Sequence, residues 1–162
     1  MPGRGGDGRF GRPRAVPFVA SQRSEESSVP STMFDERQFE QHLSAARNAR
    51  RFVADVLGRW GCDGLNDDAC LAVTELVTNA VVHGCGDPKV VMVRRDDGIL
   101  IEVHDASPEA PVMHVLDPLR GSGFGLHLVS GVAGSWGVRS LPPGKVVWCL
   151  LGPHSRRRTA PR

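Results

Sequence analysis

Apolar residues recur three and four apart from Ala46 to Trp60: Ala46, Ala49, Phe52, Val53, Val56, Leu57 and Trp60. That is the period of one helix face, and it predicts helix over 34–60, with the regular part beginning near Leu43 and Gly58 and Gly61 at its end. A second stripe, Ala69, Val73, Leu76, Val77 and Ala80, predicts a helix from Asn66 to Gly84. Asn66 suits an N-cap, Leu65 a hydrophobic staple, and Asp67 and Asp68 a first turn where the helix dipole favours anions. The period then changes to two. Pro88 to Arg95 and Ile99 to Asp105 read as strands joined by the tight turn Asp96-Asp97-Gly98. After a stretch without a period comes a short helix through Leu128, Val129, Val132 and Ala133. Ser135 to Leu141 and Lys145 to Leu151 then read as a hairpin across Pro142-Pro143-Gly144. This order predicts an α+β two-layer sandwich, a mostly antiparallel sheet with its helices on one face.

Polar residues interrupt this pattern at three places. Glu75, Asn79 and His83 lie four apart and so form a line along the second helix. A carboxylate and a carboxamide one turn apart suit a divalent metal with a phosphate chain, and equally suit a plain surface. Asp105 shares its parity with Ile99, Ile101 and Val103, so it points toward the core at the open end of its strand. An inward carboxylate needs a donor. Ala106 to Arg120 holds Pro108, Pro111 and Pro118, and it is long for a structureless connection, as functional lids are. Gly121-Ser122-Gly123-Phe124-Gly125-Leu126 follows. Its glycines let backbone approach a ligand, and first-turn N–H groups after them can hold a phosphate, although glycine clusters also serve as ordinary hinges.

The 162 residues suit one domain with tails. The expected division is a basic Gly/Pro/Ser-rich disordered tail over 1–33, a folded domain over 34–152 and a basic tail over 153–162. Val16 to Ala20 is a candidate edge strand inside the first tail. No apolar run approaches the roughly 20 residues that span a membrane, and no apolar core of a secretory signal follows the first arginines. Basic and acidic residues nearly balance, 20 against 18, and much of the basic excess is arginine in the tails. The domain itself is slightly acidic, which argues against direct nucleic-acid binding. Cys62, Cys70, Cys85 and Cys149 form no CxxC pair and no zinc pattern. Cys70 and Cys149 read as buried free thiols, and the set fits a cytoplasmic protein.

Three separated segments carry a resemblance. Glu75-Leu76-Val77-Thr78-Asn79-Ala80-Val81-Val82-His83 resembles the N box of the GHKL ATPase/kinase superfamily, which includes gyrase B, histidine kinases and MutL. Asp105-Ala106-Ser107-Pro108 resembles a shortened G1 box, and Gly121 to Val129 a G2 box. Within that superfamily, roughly residues 40–151 are most similar to the anti-sigma factor serine/threonine kinases related to RsbW and SpoIIAB, in their actinobacterial regulatory form. The resemblance implies a Bergerat-type fold that binds ATP with Mg2+. By it, Asn79 holds the magnesium, Asp105 accepts from the adenine amino group, and Glu75 is the catalytic acid–base that orients the attacking hydroxyl. Gly121, Gly123, Gly125 and Leu126 form the lid base around the phosphates. His83 and Arg120 stand on the phosphate side, and Ser107 holds a G1 position where glycine is usual. Glu109 replaces a second G1 glycine, and the lid lacks a lysine. The implied partners are a STAS-domain anti-anti-sigma protein, phosphorylated on serine, and a sigma factor; a homodimer is compatible.

Two other classes remain in view. One is a partner-switching module that keeps the fold without kinase activity, distinguished by the absence of phosphate transfer. The other is a histidine-kinase-like catalytic domain, which needs a dimerisation helix with a phosphoacceptor histidine. Only His42 stands in the first helical region, and no second long helix completes such a bundle. Neither helix pair reads as a helix-turn-helix with a basic recognition face.

Overall fold

The computed structural model describes residues 33–107 and 124–152. All of these belong to the second of two compact units, residues 31–162. The readings of the two tails, of a strand at Val16 to Ala20 and of a lid over Ala106 to Arg120 fall wholly or mainly outside the described residues. Within them the order is β1 (Phe34–Gln38), α1 (Ala45–Trp60), a single 3-10 turn (Asp63–Leu65), α2 (Asn66–His83), β2 (Lys89–Arg95), β3 (Gly98–Asp105), α3 (Phe124–Val132), β4 (Ser135–Leu141) and β5 (Gly144–Leu151). The five strands form one antiparallel sheet in the order β1-β2-β3-β5-β4.

Alternation decides which face of this sheet is covered. Along β3, Ile99, Ile101, Val103 and Asp105 are buried, while the residues between them are half-buried. Met92 and Cys149 flank Ile101 in register, so the three make one inward row. The stripes of α1 and α2 close over that face: Phe52, Val53, Val56 and Leu57 from α1, and Val73, Leu76 and Val77 from α2, all join the same core. Burying a side chain of this size contributes about 1.5–3 kcal/mol. This shared core holds α2 in fixed register over the sheet.

Two expectations need correction. Residues 34–38 are a strand, not the start of a helix. Their charges alternate across the two faces and satisfy partners at the sheet edge: Asp35 pairs with Arg59 of α1, and Glu36 with Lys89 of β2. Arg37 lies over the Phe52 ring, 4.9 Å from its centre. Backbone pairing with β2 outweighs helix propensity in so short a segment. Asn66 is not an N-cap either. Its backbone is already helical (φ −59°, ψ −46°), because the 3-10 turn ahead of it runs directly into α2.

Beyond α2 the chain is tied down by Gln41. Its side-chain amide donates to the Val81 carbonyl (3.2 Å), its carbonyl accepts from the Gly86 amide (3.1 Å), and its own amide donates to Asp87 Oδ1 (2.9 Å). The Ala106 amide donates to the Cys85 carbonyl at 2.9 Å. The α2 exit and the end of β3 are thereby fastened to each other.

Candidate functional site

Glu75 and Asn79 lie on the side of α2 that meets α3, and both are half-buried. Their neighbour is Gly125, in the first turn of α3. A Cβ on Gly125 would stand 2.8 Å from Glu75 Oε2 and 3.6 Å from Asn79 Nδ2. The missing side chain is what lets the start of α3 settle against the two polar groups. Leu126 is buried in the core, 4% exposed, and so anchors α3 through its side chain. His83, the third member of the polar line, is exposed at the end of α2.

Asp105 lies at the other end of the site. It is buried, as its parity with Ile101 and Val103 requires, and it has two donors from within the chain. The Ser107 amide donates to Asp105 Oδ1 at 2.8 Å, and Lys145 Nζ stands 3.2 Å from Oδ2. The side chains of Lys145 and Asp105 are only 7% and 2% exposed. Ser107 is itself buried. Gly144 brings β5 close enough for this pairing: a Cβ there would lie 2.0 Å from the Asp105 carbonyl oxygen. The donor that an inward Asp105 demands is thus supplied by this chain's own lysine and backbone.

Lys145 is absent from the residues expected of the site. The sequence makes it the first residue of the closing strand, Lys145 to Leu151, with no further role. Its parity with Val147, Cys149 and Leu151 nevertheless places it on the inward face, and its register partner is Asp105. The signal was present in the alternation. It acquires meaning only once β3 and β5 are known to be neighbours. Arg120, Gly121 and Gly123 lie outside the described residues, as does Glu109.

The cysteines stand apart from this chemistry. Cys149 is buried, and burial pushes its thiol up to about 12. Cys70 is half-buried rather than buried, and partial burial raises its thiol as well. Cys85 is exposed. Among the described residues no cluster of three or more His, Cys, Asp and Glu side chains could hold a metal ion by itself. Glu75 and Asn79, one turn apart on α2, offer a carboxylate and a carboxamide oxygen, hard donors of the kind magnesium takes.

From Glu75 to His83 the helix rises by about 12 Å, and Gly84 follows at its exit. A Cβ on Gly84 would lie 3.0 Å from Asp105 Cγ, so Asp105 marks the far end of that span.

A five-stranded antiparallel sheet covered by helices on one face is an α+β two-layer sandwich, a fold consistent with a GHKL-type ATP-binding domain. The chain matches the family model for the histidine kinase-like ATPase domain over residues 39–150, and it belongs to that family. Membership implies nucleotide binding. Among solved structures, the chain is similar to the crystal structure of the RsbU and RsbW domains of Rv1364c from Mycobacterium tuberculosis. The identity is 18% and the TM-score 0.53, over 75% of this chain and 32% of that one. The chain thus spans about a third of that protein's length, and the likeness is one of fold. A search of curated proteins gives no match. Among the described residues no helix is long and apolar enough to cross a membrane.

Proposed function

We propose that the protein is an anti-sigma-factor-like serine/threonine kinase that binds Mg-ATP and phosphorylates a serine of a STAS-domain anti-anti-sigma partner. It would thereby govern a sigma factor by partner switching in the cytoplasm. The observation that carries this reading is the meeting of Glu75, Asn79 and Gly125 at the α2–α3 contact. Asn79 would hold magnesium through its side-chain oxygen, and the N–H groups at the start of α3 would donate to phosphate oxygens. Glu75 accepts the proton of the incoming serine hydroxyl as its oxygen bonds to the γ-phosphorus and the bond to the ADP oxygen breaks. Asp105 accepts from the adenine amino group. Bound ATP supplies the phosphoryl group, and magnesium offsets charge on its oxygens.

The experiment is calorimetry of ATP with magnesium against the wild type and Asn79→Ala, followed by phosphate transfer to STAS-domain proteins with Glu75→Ala as control. Micromolar binding lost in Asn79→Ala, together with transfer lost in Glu75→Ala, supports the kinase. A folded wild type that binds no nucleotide refutes it. A second reading, a partner-switching module without catalysis, draws on one observation: Asp105 is already paired with Lys145. Nucleotide binding without transfer to any partner would favour it.

A further inference from the structure

The Lys145–Asp105 pair is more than a filler of the core. The chain has only two lysines, against many arginines. Lys89 lies at the surface beside Glu36, and Lys145 is buried beside Asp105. A compact ammonium fits a confined position where a planar guanidinium does not. It carries three N–H donors, and among the described residues Asp105 is its ionic partner. Asp105 Oδ1 takes the Ser107 amide and Oδ2 faces Nζ, yet each carboxylate oxygen has a second lone pair. Acceptor and donor therefore sit side by side, 3.2 Å apart, on the same inward face at the end of two paired strands.

We infer that Lys145 is a nucleobase-specificity residue, donating to a ring nitrogen acceptor of the base while Asp105 accepts from the adjoining exocyclic amine. Adenine presents that pair of groups on one edge, the amine at C6 beside the acceptor N1. The inference rests on the nucleotide reading given above and adds to it the residue that reads the second atom. It also gives the buried ammonium a use that a purely structural ion pair lacks. A structural pair would be indifferent to which atom the base carries at position 1.

That difference is the test. Binding of ATP, 1-deaza-ATP and the triphosphate of purine riboside is measured by calorimetry with magnesium. The first analogue lacks the ring acceptor and the second lacks the amine. In the wild type each analogue should bind roughly ten- to a hundredfold more weakly than ATP, the cost of losing a hydrogen bond to a charged group. In Lys145→Met the gap between ATP and 1-deaza-ATP should close, while the gap for the analogue without the amine persists. If Lys145→Met does not fold, the charge-free double variant Asp105→Asn with Lys145→Met replaces it in the comparison between ATP and 1-deaza-ATP. Equal binding of ATP and 1-deaza-ATP by the wild type overturns this inference alone. A gap that persists in the lysine variants assigns it to another group and also overturns the inference. Failure of the folded wild type to bind any of the three overturns the nucleotide reading, and this inference with it.

Discussion

Removing one member of the Asp105–Lys145 pair should destabilise the domain far more than removing both. The side chains are 2% and 7% exposed, so solvent does little to screen whichever charge is left behind. Breaking a buried ion pair from one side costs about 3–5 kcal/mol, whereas replacing both charges by groups of similar volume is often neutral or favourable. Total stabilities of small domains are only about 5–15 kcal/mol, so either single substitution removes a large share. The variants are Asp105→Asn, Lys145→Met and the two combined. Asparagine keeps an acceptor for the Ser107 amide, and methionine keeps the apolar stem of the lysine. The assay is urea unfolding followed by circular dichroism. With slopes of about 1–3 kcal/mol per molar urea, each single variant should lower the midpoint by roughly 1–5 M. The double variant should lie within about 1 kcal/mol of the wild type. Single effects below about 1 kcal/mol, or a double effect equal to the sum of the singles, would refute the reasoning. The result also governs how nucleotide titrations are interpreted, because an Asp105 variant that fails to bind ATP must first be shown to be folded.

Gly125→Ala should impair chemistry more than stability. Alanine is favoured over glycine inside helices by about 1 kcal/mol, but its Cβ would press on Glu75 Oε2, which must retreat from the 2.8 Å approach to roughly 3.4 Å. A displacement of that size in a positioned carboxylate should lower phosphate transfer by about tenfold with little change in ATP affinity; transfer at the wild-type rate would count against Glu75 as the acid–base. At the sheet surface, the hydrogen bond from His104, with Arg139 alongside, holds the Glu102 carboxyl below its usual value of 4.5. A lowered carboxyl contributes stability above that pH and loses it as pH falls through the folded value. Glu102→Gln should therefore flatten the decline in stability below about pH 4.5 in denaturant titrations at stepped pH, and an unchanged slope would argue against the contribution.

The helices, the main strands and the inward direction of Asp105 were legible because each depends on a local period. Ala49, Phe52, Val53, Val56 and Leu57 repeat as a helix face must, and they are buried. Asp105 was placed by counting in twos from Ile101. The strand at Phe34–Gln38 was not legible. Its residues are mostly charged, and its stability comes from β2, more than 50 residues away. Lys145 was missed for the same reason. Its inward direction follows from local alternation, but its partner depends on β5 lying between β3 and β4, an insertion that no short-range pattern reports. The contact of Gly125 with Glu75 and Asn79 likewise joins segments that only the packing of α3 on α2 brings together.

Asp105 and Gly125 are both held against α2, one near its exit and one near Glu75. The described chain therefore stops just after β3 and resumes at α3 against the same helix. Closing a loop between fixed ends costs only about 0.6 kcal/mol more each time its length doubles. Residues inserted or removed between these two points would leave β3, α3 and their anchoring side chains where they are. Such a scaffold can accept a longer or shorter connection over evolutionary time without rebuilding the residues on either side.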